Sequence, residues 1–156
     1  ALYPRAFPTE NLLPIVNTLL KKTSDTLSLV AVDDAVVIGH VLFTFAHIDN
    51  DPHSVALLAP LAVLPERQQQ GVGSAMVRVG LELLGKADVR FVYVLGDPAY
   101  YQRFGFKPDN DVMPPYTLPD EWRGAWQSLK LNSIRSAPSG LLMLPDPWLQ
   151  PRLGAP

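Results

Sequence analysis

No cysteine occurs among the 156 residues. That absence rules out disulfides, a thiolate nucleophile and zinc sites built on sulfur, so any chemistry the chain performs must use other groups. Charge is sparse as well: charged residues make up 18% of the chain and the formal net charge is -2, with a pI near 5.9. Such a field does not draw nucleic acid or an anionic membrane surface, and a small-molecule or peptide partner fits better. Long hydrophobic runs are also missing. The longest, Val55 to Leu64, is too short to span a bilayer, holds Pro60 and sits mid-chain rather than behind a basic N-terminus. The expectation is a cytoplasmic protein that binds neither nucleic acid nor membrane. Ala1 is not a methionine, which leaves the true start open.

What is present suits one ordinary globular domain over residues 1–156, since 47% of the residues are hydrophobic. Leu12, Leu13, Val16, Leu19 and Leu20 recur at helical spacing behind Asn11 as N-cap, with Pro14 tolerated in the first turn, and predict an opening helix. Two β-rich runs follow, Leu27 to Val32 and Val36 to Ile48, joined by the hairpin signal Asp33-Asp34-Ala35. Asp49-Asn50-Asp51-Pro52 closes a second hairpin. Val55 to Leu64 then reads as a strand buried on both faces, in which Pro60 lacks a ladder donor and predicts a bulge or splay.

From Val72 the period changes to that of a helix, through Ala75, Met76, Val79, Leu83 and Leu84, ending near Gly85-Lys86. Phe91 to Leu95 reads as another buried strand. Asp97 as N-cap, Pro98 at the first helical position and Gly105 past the end bracket a short helix, Ala99 to Phe104. Nine of the sixteen prolines lie beyond residue 106, so residues 107–156 are expected to be loops joined by short strands, at Trp126 to Leu131 and Leu141 to Leu144. The order implies an α/β domain with a mixed sheet and helices packed on it.

The segment from Leu61 through Ala62, Val63, Leu64 and Pro65 to Gln68-Gln69-Gln70-Gly71-Val72-Gly73-Ser74 leaves a buried strand and enters a helix at its glycines. The first N–H groups of a helix have no internal partner and carry the positive end of its dipole, so several donors converge on an anion there. Two other phosphate motifs fail. Met76 stands where a dinucleotide fingerprint needs its third glycine, and the Gly-Lys-Ser/Thr of a P-loop is absent. Thirty residues after Gly71, Gly96-Asp97-Pro98-Ala99-Tyr100-Tyr101-Gln102-Arg103-Phe104-Gly105-Phe106 places Tyr101 four residues before a Gly-Phe pair.

These two segments, in this order, resemble the signatures of the GNAT superfamily of N-acetyltransferases, over roughly Leu27 to Phe106. The wording Gly-Asp-Pro-Ala-Tyr-Tyr resembles a bacterial subgroup of predicted acetyltransferases. The resemblance implies a mixed, mostly antiparallel central sheet with helices on both faces, and acetyl-CoA as acyl donor. It implies cofactor contacts at Leu61, Ala62, Val63, Gln68, Gln69, Gln70, Gly71, Val72, Gly73, Ser74, Tyr100, Tyr101 and Phe104. Tyr101 would be the general acid for the departing thiolate, and the Val63 N–H would face the thioester oxygen.

The acceptor would be a primary amine of a small molecule or peptide, attacking directly, since no cysteine exists and no serine has an evident base partner. A rival reading is a module that binds acyl-CoA without turning it over. Homodimers are common in such enzymes. The sequence departs from the family in two places. Leu95-Gly96-Asp97-Pro98 replaces an asparagine that contacts the pantetheine arm in many relatives. Ala1 to Pro8 shows no strand pattern where relatives begin with a strand, so that strand is expected to be missing.

Other residues have plainer readings. His40 and His47 lie an odd seven positions apart on one strand, hence on opposite faces, and with His53 they predict no metal site. Glu66, Asp49 and Asp97 are candidate bases or simply caps. Arg67 either pairs with a phosphate or is solvated. Trp122, Trp126 and Tyr116 either wall the acceptor site or fold onto the core.

Overall fold

The computed structural model describes residues 17–19, 25–134 and 137–145. Its strands and helices, in chain order, are β1 (Asn17–Leu19), β2 (Thr26–Asp33), β3 (Val36–Ile48), β4 (Val55–Val63), α1 (Val72–Lys86), β5 (Phe91–Leu95), α2 (Pro98–Tyr101), β6 (Lys107–Pro108), β7 (Val112–Met113), β8 (Trp126–Lys130) and β9 (Gly140–Met143). The strand order is β1-β2-β3-β4-β5-β8-β6, with β9 joined to β3 and β7. The β1–β2, β3–β9, β5–β8 and β6–β8 pairs are antiparallel, while β4–β5 and β7–β9 are parallel.

Contacts cluster into two units. The first takes in the chain to Phe43 together with Leu58–Leu83, and the second takes in Thr44–Leu57 and everything from Leu84 onward. In the first, β2 turns into β3 through Asp34 and Ala35, whose φ values of 49° and 63° give the doubly left-handed turn that matches strand twist. Helix α1 buries Met76 and Val77, and it lies so close to the sheet that Gly80 is obligatory. A Cβ there would stand 2.2 Å from Phe43 Cε1 and 3.2 Å from Leu29 Cδ1.

In the second unit, β5 carries five consecutive pairs to β8, from Phe91↔Lys130 to Leu95↔Trp126. On its other edge it pairs with β4 only from Val55↔Phe91 to Leu57↔Tyr93. That ladder stops before Pro60, as the splay expected from the proline requires. Trp126 is buried and donates its Nε1–H to the Val112 carbonyl at 2.7 Å, tying the irregular segment to β8.

The expected opening helix is corrected at Asn17–Leu19, which is a strand paired with β2 from Asn17↔Val30 to Leu19↔Ser28. A ladder with a neighbouring strand overrides the helical spacing of a few leucines. The rest of that expected helix, and the missing first strand, lie outside the described residues. No helix among the described residues is long and apolar enough to cross a membrane.

Replacing Gly80 by alanine should destabilise the chain by about 1–3 kcal/mol through overpacking against Phe43, read as a lower denaturant midpoint at unchanged slope. An unchanged midpoint would show that the helix sits farther from the sheet.

Candidate active site

The first unit holds the loop between β4 and α1. After β4 the chain makes a 3-10 turn over Pro65–Arg67, and α1 begins at Val72. Gln69 and Gly71 both take left-handed φ, 65° and 84°. A Cβ on Gly71 would meet nothing within 4 Å, so glycine is needed there for its backbone angle rather than for space. Among the described residues, no carbonyl of the protein accepts from the N–H of Gly71, Val72 or Gly73. These donors stand at the positive end of α1, a 15-residue helix.

The loop is braced from three sides. The Gln68 side chain donates to the Val63 carbonyl at 3.1 Å, and the Gln68 N–H goes to the Pro65 carbonyl at 3.3 Å. Gln70 donates to the Glu66 carbonyl at 3.1 Å and accepts from Arg67 at 3.2 Å. Arg67 itself pairs neither with solvent alone nor with an open phosphate position. Its guanidinium reaches Asp33 Oδ2 at 2.6 Å, where the carboxylate is only 5% exposed. This pair joins the loop to the end of β2 and was not legible in the sequence, because 34 positions separate the partners. Leu64 N–H donates to the Ile38 carbonyl at 2.9 Å. Since successive amides alternate along a strand, the Val63 N–H lies on the opposite edge of β4.

The second unit holds Tyr101. Asp97 caps α2 through Oδ1, 2.9 Å from Ala99 N, and Gly105 ends the following 3-10 turn at φ 99°. Asp97 therefore acts as a cap, the plainer of its two readings. Tyr101 is 9% exposed and meets Tyr100 at 5.0 Å, Phe106 at 5.7 Å and Phe104 at 6.2 Å between ring centroids. Burial, and secondarily Tyr100, pushes its phenol up to about 12. The ring lies over Gly96, where a Cβ would come within 2.5 Å of Tyr101 Cε2. The Gly96 carbonyl is held by the Gln127 amide at 3.0 Å. Gln127 is wholly buried and was missed in the sequence; its one signal was a polar residue at an inward position of a strand.

The remaining candidates fall to structural roles. His40 bonds to Ser28 at 2.8 Å and is neutral at pH 7, because burial lowers its pKa; His53 bonds to Asp51 at 2.8 Å. His47, Glu66 and Asp49 are exposed. Trp122 is exposed, whereas Trp126 joins the core and also borders a cavity with Tyr116. Among the described residues, no group of three or more His, Asp or Glu side chains is placed to hold a metal.

Similarity to known proteins gives the family of the chain. A family model described as the acetyltransferase (GNAT) domain matches residues 24–108. The chain belongs to the GNAT acetyltransferase family. It is 36% identical over 150 residues to the Escherichia coli (strain K12) protein named uncharacterized N-acetyltransferase YjhQ, covering 92% of this chain and 83% of that one. The GNAT family N-acetyltransferase YhbS from Escherichia coli, solved in complex with CoA, matches with a TM-score of 0.67 at 31% identity, over 81% of this chain and 72% of that one. A GNAT family acetyltransferase from Brucella melitensis, in complex with acetyl-CoA, matches with a TM-score of 0.61 at 33% identity, over 77% and 66%. The chain is thus a GNAT acyltransferase with the family's α/β fold.

Gly96→Ala should displace the Tyr101 ring toward solvent. In an alkaline spectrophotometric titration, one fewer tyrosine should then ionise late; an unchanged titration would show that the ring does not rest on Gly96.

Proposed function

We propose that this GNAT acetyltransferase moves the acetyl group of acetyl-CoA to a primary amine of a small molecule or peptide by direct attack. The observation that carries the reading is the run of N–H donors at Gly71, Val72 and Gly73, claimed by no carbonyl among the described residues, on a left-handed turn at the head of α1. Such donors suit a diphosphate. The CoA and acetyl-CoA complexes of the two relatives support the same ligand.

In this reading Gly71, Val72 and Gly73 hold the diphosphate through main-chain N–H groups, with Gln69, Gln70 and Ser74 beside them. Gln68 braces the loop through its bond to Val63. Leu61 and Ala62 run along the pantetheine arm, the Val63 N–H faces the thioester oxygen, and Tyr100, Tyr101 and Phe104 border the sulfur end. A neutral amine attacks the thioester carbon, the N–C bond forms, and negative charge on the carbonyl oxygen is met by the Val63 N–H. The C–S bond then breaks, and the sulfur takes a proton as the new amide loses one to water.

Tyr101 supplies the hydrogen bond to that sulfur. With its phenol at about 12 and an ordinary thiol near ~8.5, complete transfer is roughly 5 kcal/mol uphill, so donation strengthens only as charge builds on sulfur. The group is active when protonated, which it is throughout the neutral and mildly alkaline range.

Two measurements test this. CoA should raise the melting temperature by mass action, and Gly71→Ala, which forces a side chain into a left-handed angle, should diminish that shift; no shift with the wild type would overturn the reading. Tyr101→Phe should lower kcat by ~10²-fold or more while leaving the CoA shift intact. In the wild type the rate should climb with pH as the amine loses its proton, with no fall from Tyr101 until near its pKa of about 12. Full activity in the phenylalanine variant would remove Tyr101 from the chemistry.

A further inference from the structure

In the second unit, Tyr116, Trp126, Met113 and Leu141 border a cavity of about 450 Å³ whose charged lining residues are Asp109 and Arg123. We propose that this cavity receives the acceptor, and that the acceptor is a monoamine with a flat apolar body rather than a polycation. The proposal rests on the acetyl-transfer reading and names its substrate class.

Position is the first argument. Trp126 pairs with Leu95, the last residue of β5, so the two side chains share a face. The next residue, Gly96, carries the Tyr101 ring, and successive positions point to opposite faces. The cavity and Tyr101 thus meet at the same strand end from opposite sides. The β4–β5 ladder ends at Leu57↔Tyr93, so among the described residues β5 carries no pair to β4 at Val94 or Leu95.

The lining gives the chemistry. The volume is that of a small-molecule site. The Tyr116 and Trp126 rings meet edge to face at 6.4 Å and offer flat apolar walls. Three large apolar side chains are exposed among the described residues, and two of them, Met113 and Leu141, stand on this cavity.

Asp109 is fixed by accepting the Asp111 and Val112 N–H groups at 2.8 and 2.9 Å, which orients its carboxylate. Behind Trp126, the stacked Tyr93 ring lies 5.7 Å away with a wholly buried hydroxyl that has no hydrogen-bond partner among the described residues. After burial, the charges of Asp109, Asp51 and Asp111 raise the Tyr93 pKa further. Asp109, the one carboxylate on the cavity's lining, suits one ammonium, which gives up its proton before it attacks. A second would face Arg123, for which no acid supplies a partner among the described residues, and like charge excludes it.

The test is thiol release from acetyl-CoA with phenylalaninamide, spermidine and kanamycin as acceptors, alongside a CoA thermal shift. Phenylalaninamide should be preferred by the wild type. Tyr116→Ala and Met113→Lys should each raise its KM by ~10-fold or more, leaving the KM for acetyl-CoA unchanged. Arg123→Glu should admit spermidine. Preference for spermidine or kanamycin, no turnover of phenylalaninamide, or a KM untouched by both cavity variants would overturn the proposal while CoA still protects. Loss of CoA protection in the wild type would instead fell the acetyl-CoA reading itself.

Discussion

The site depends on one constraint: the chain must pass from β4 into α1 without its own carbonyls claiming the first helical N–H groups. Left-handed angles at Gln69 and Gly71 turn the backbone so that Gly71, Val72 and Gly73 present their donors outward. Left-handed backbone is costly for Gln69, at about 1–2 kcal/mol, and persists only where the surroundings overdetermine it. The surroundings here are Gln68 on Val63, Gln70 on Glu66 and Arg67 on Asp33. The glutamine run that looks like a phosphate-binding signature therefore has a second job. Two of its side chains hold the loop, and the main chain is left to meet the ligand.

That division explains what could be read from the residues and what could not. Strands at Val36–Ile48 and Phe91–Leu95, the helix from Val72 and the Asp97 cap follow from local spacing, cap chemistry and glycine placement, and the structure has all of them. Tyr101 and the loop stand out as candidates because both signatures are contiguous in the chain. Arg67–Asp33 and Gln127 beneath Gly96 are long-range pairings that nothing in periodicity or spacing encodes, whereas Tyr116 and Trp126 stood among the aromatic candidates without the sequence deciding between a wall and the core. Asn17–Leu19 failed for a related reason: a strand of three residues shows too little period to be told from a helix, and its partner in β2 decides.

Tyr101 shows how packing and chemistry trade against each other. Enclosure by Tyr100, Phe104 and Phe106 makes the phenol a weaker acid than it would be in water. The same enclosure fixes the ring and removes competing water, so its hydrogen bond is aimed at one place and is stronger in a low-dielectric setting. In the proposed transfer, a donor that gives its proton up late suits a leaving group that becomes basic only as the C–S bond breaks. A more acidic group would ionise in the working pH range and lose that function.

The departure at the end of β5 fits this arrangement. This chain has Leu95-Gly96 there, and any side chain at 96 would collide with the Tyr101 ring. Buried Gln127 holds the Gly96 carbonyl from the neighbouring strand. The strand end is thereby fixed by a partner in β8 rather than by its own side chain, which leaves its upper face to the aromatic cluster.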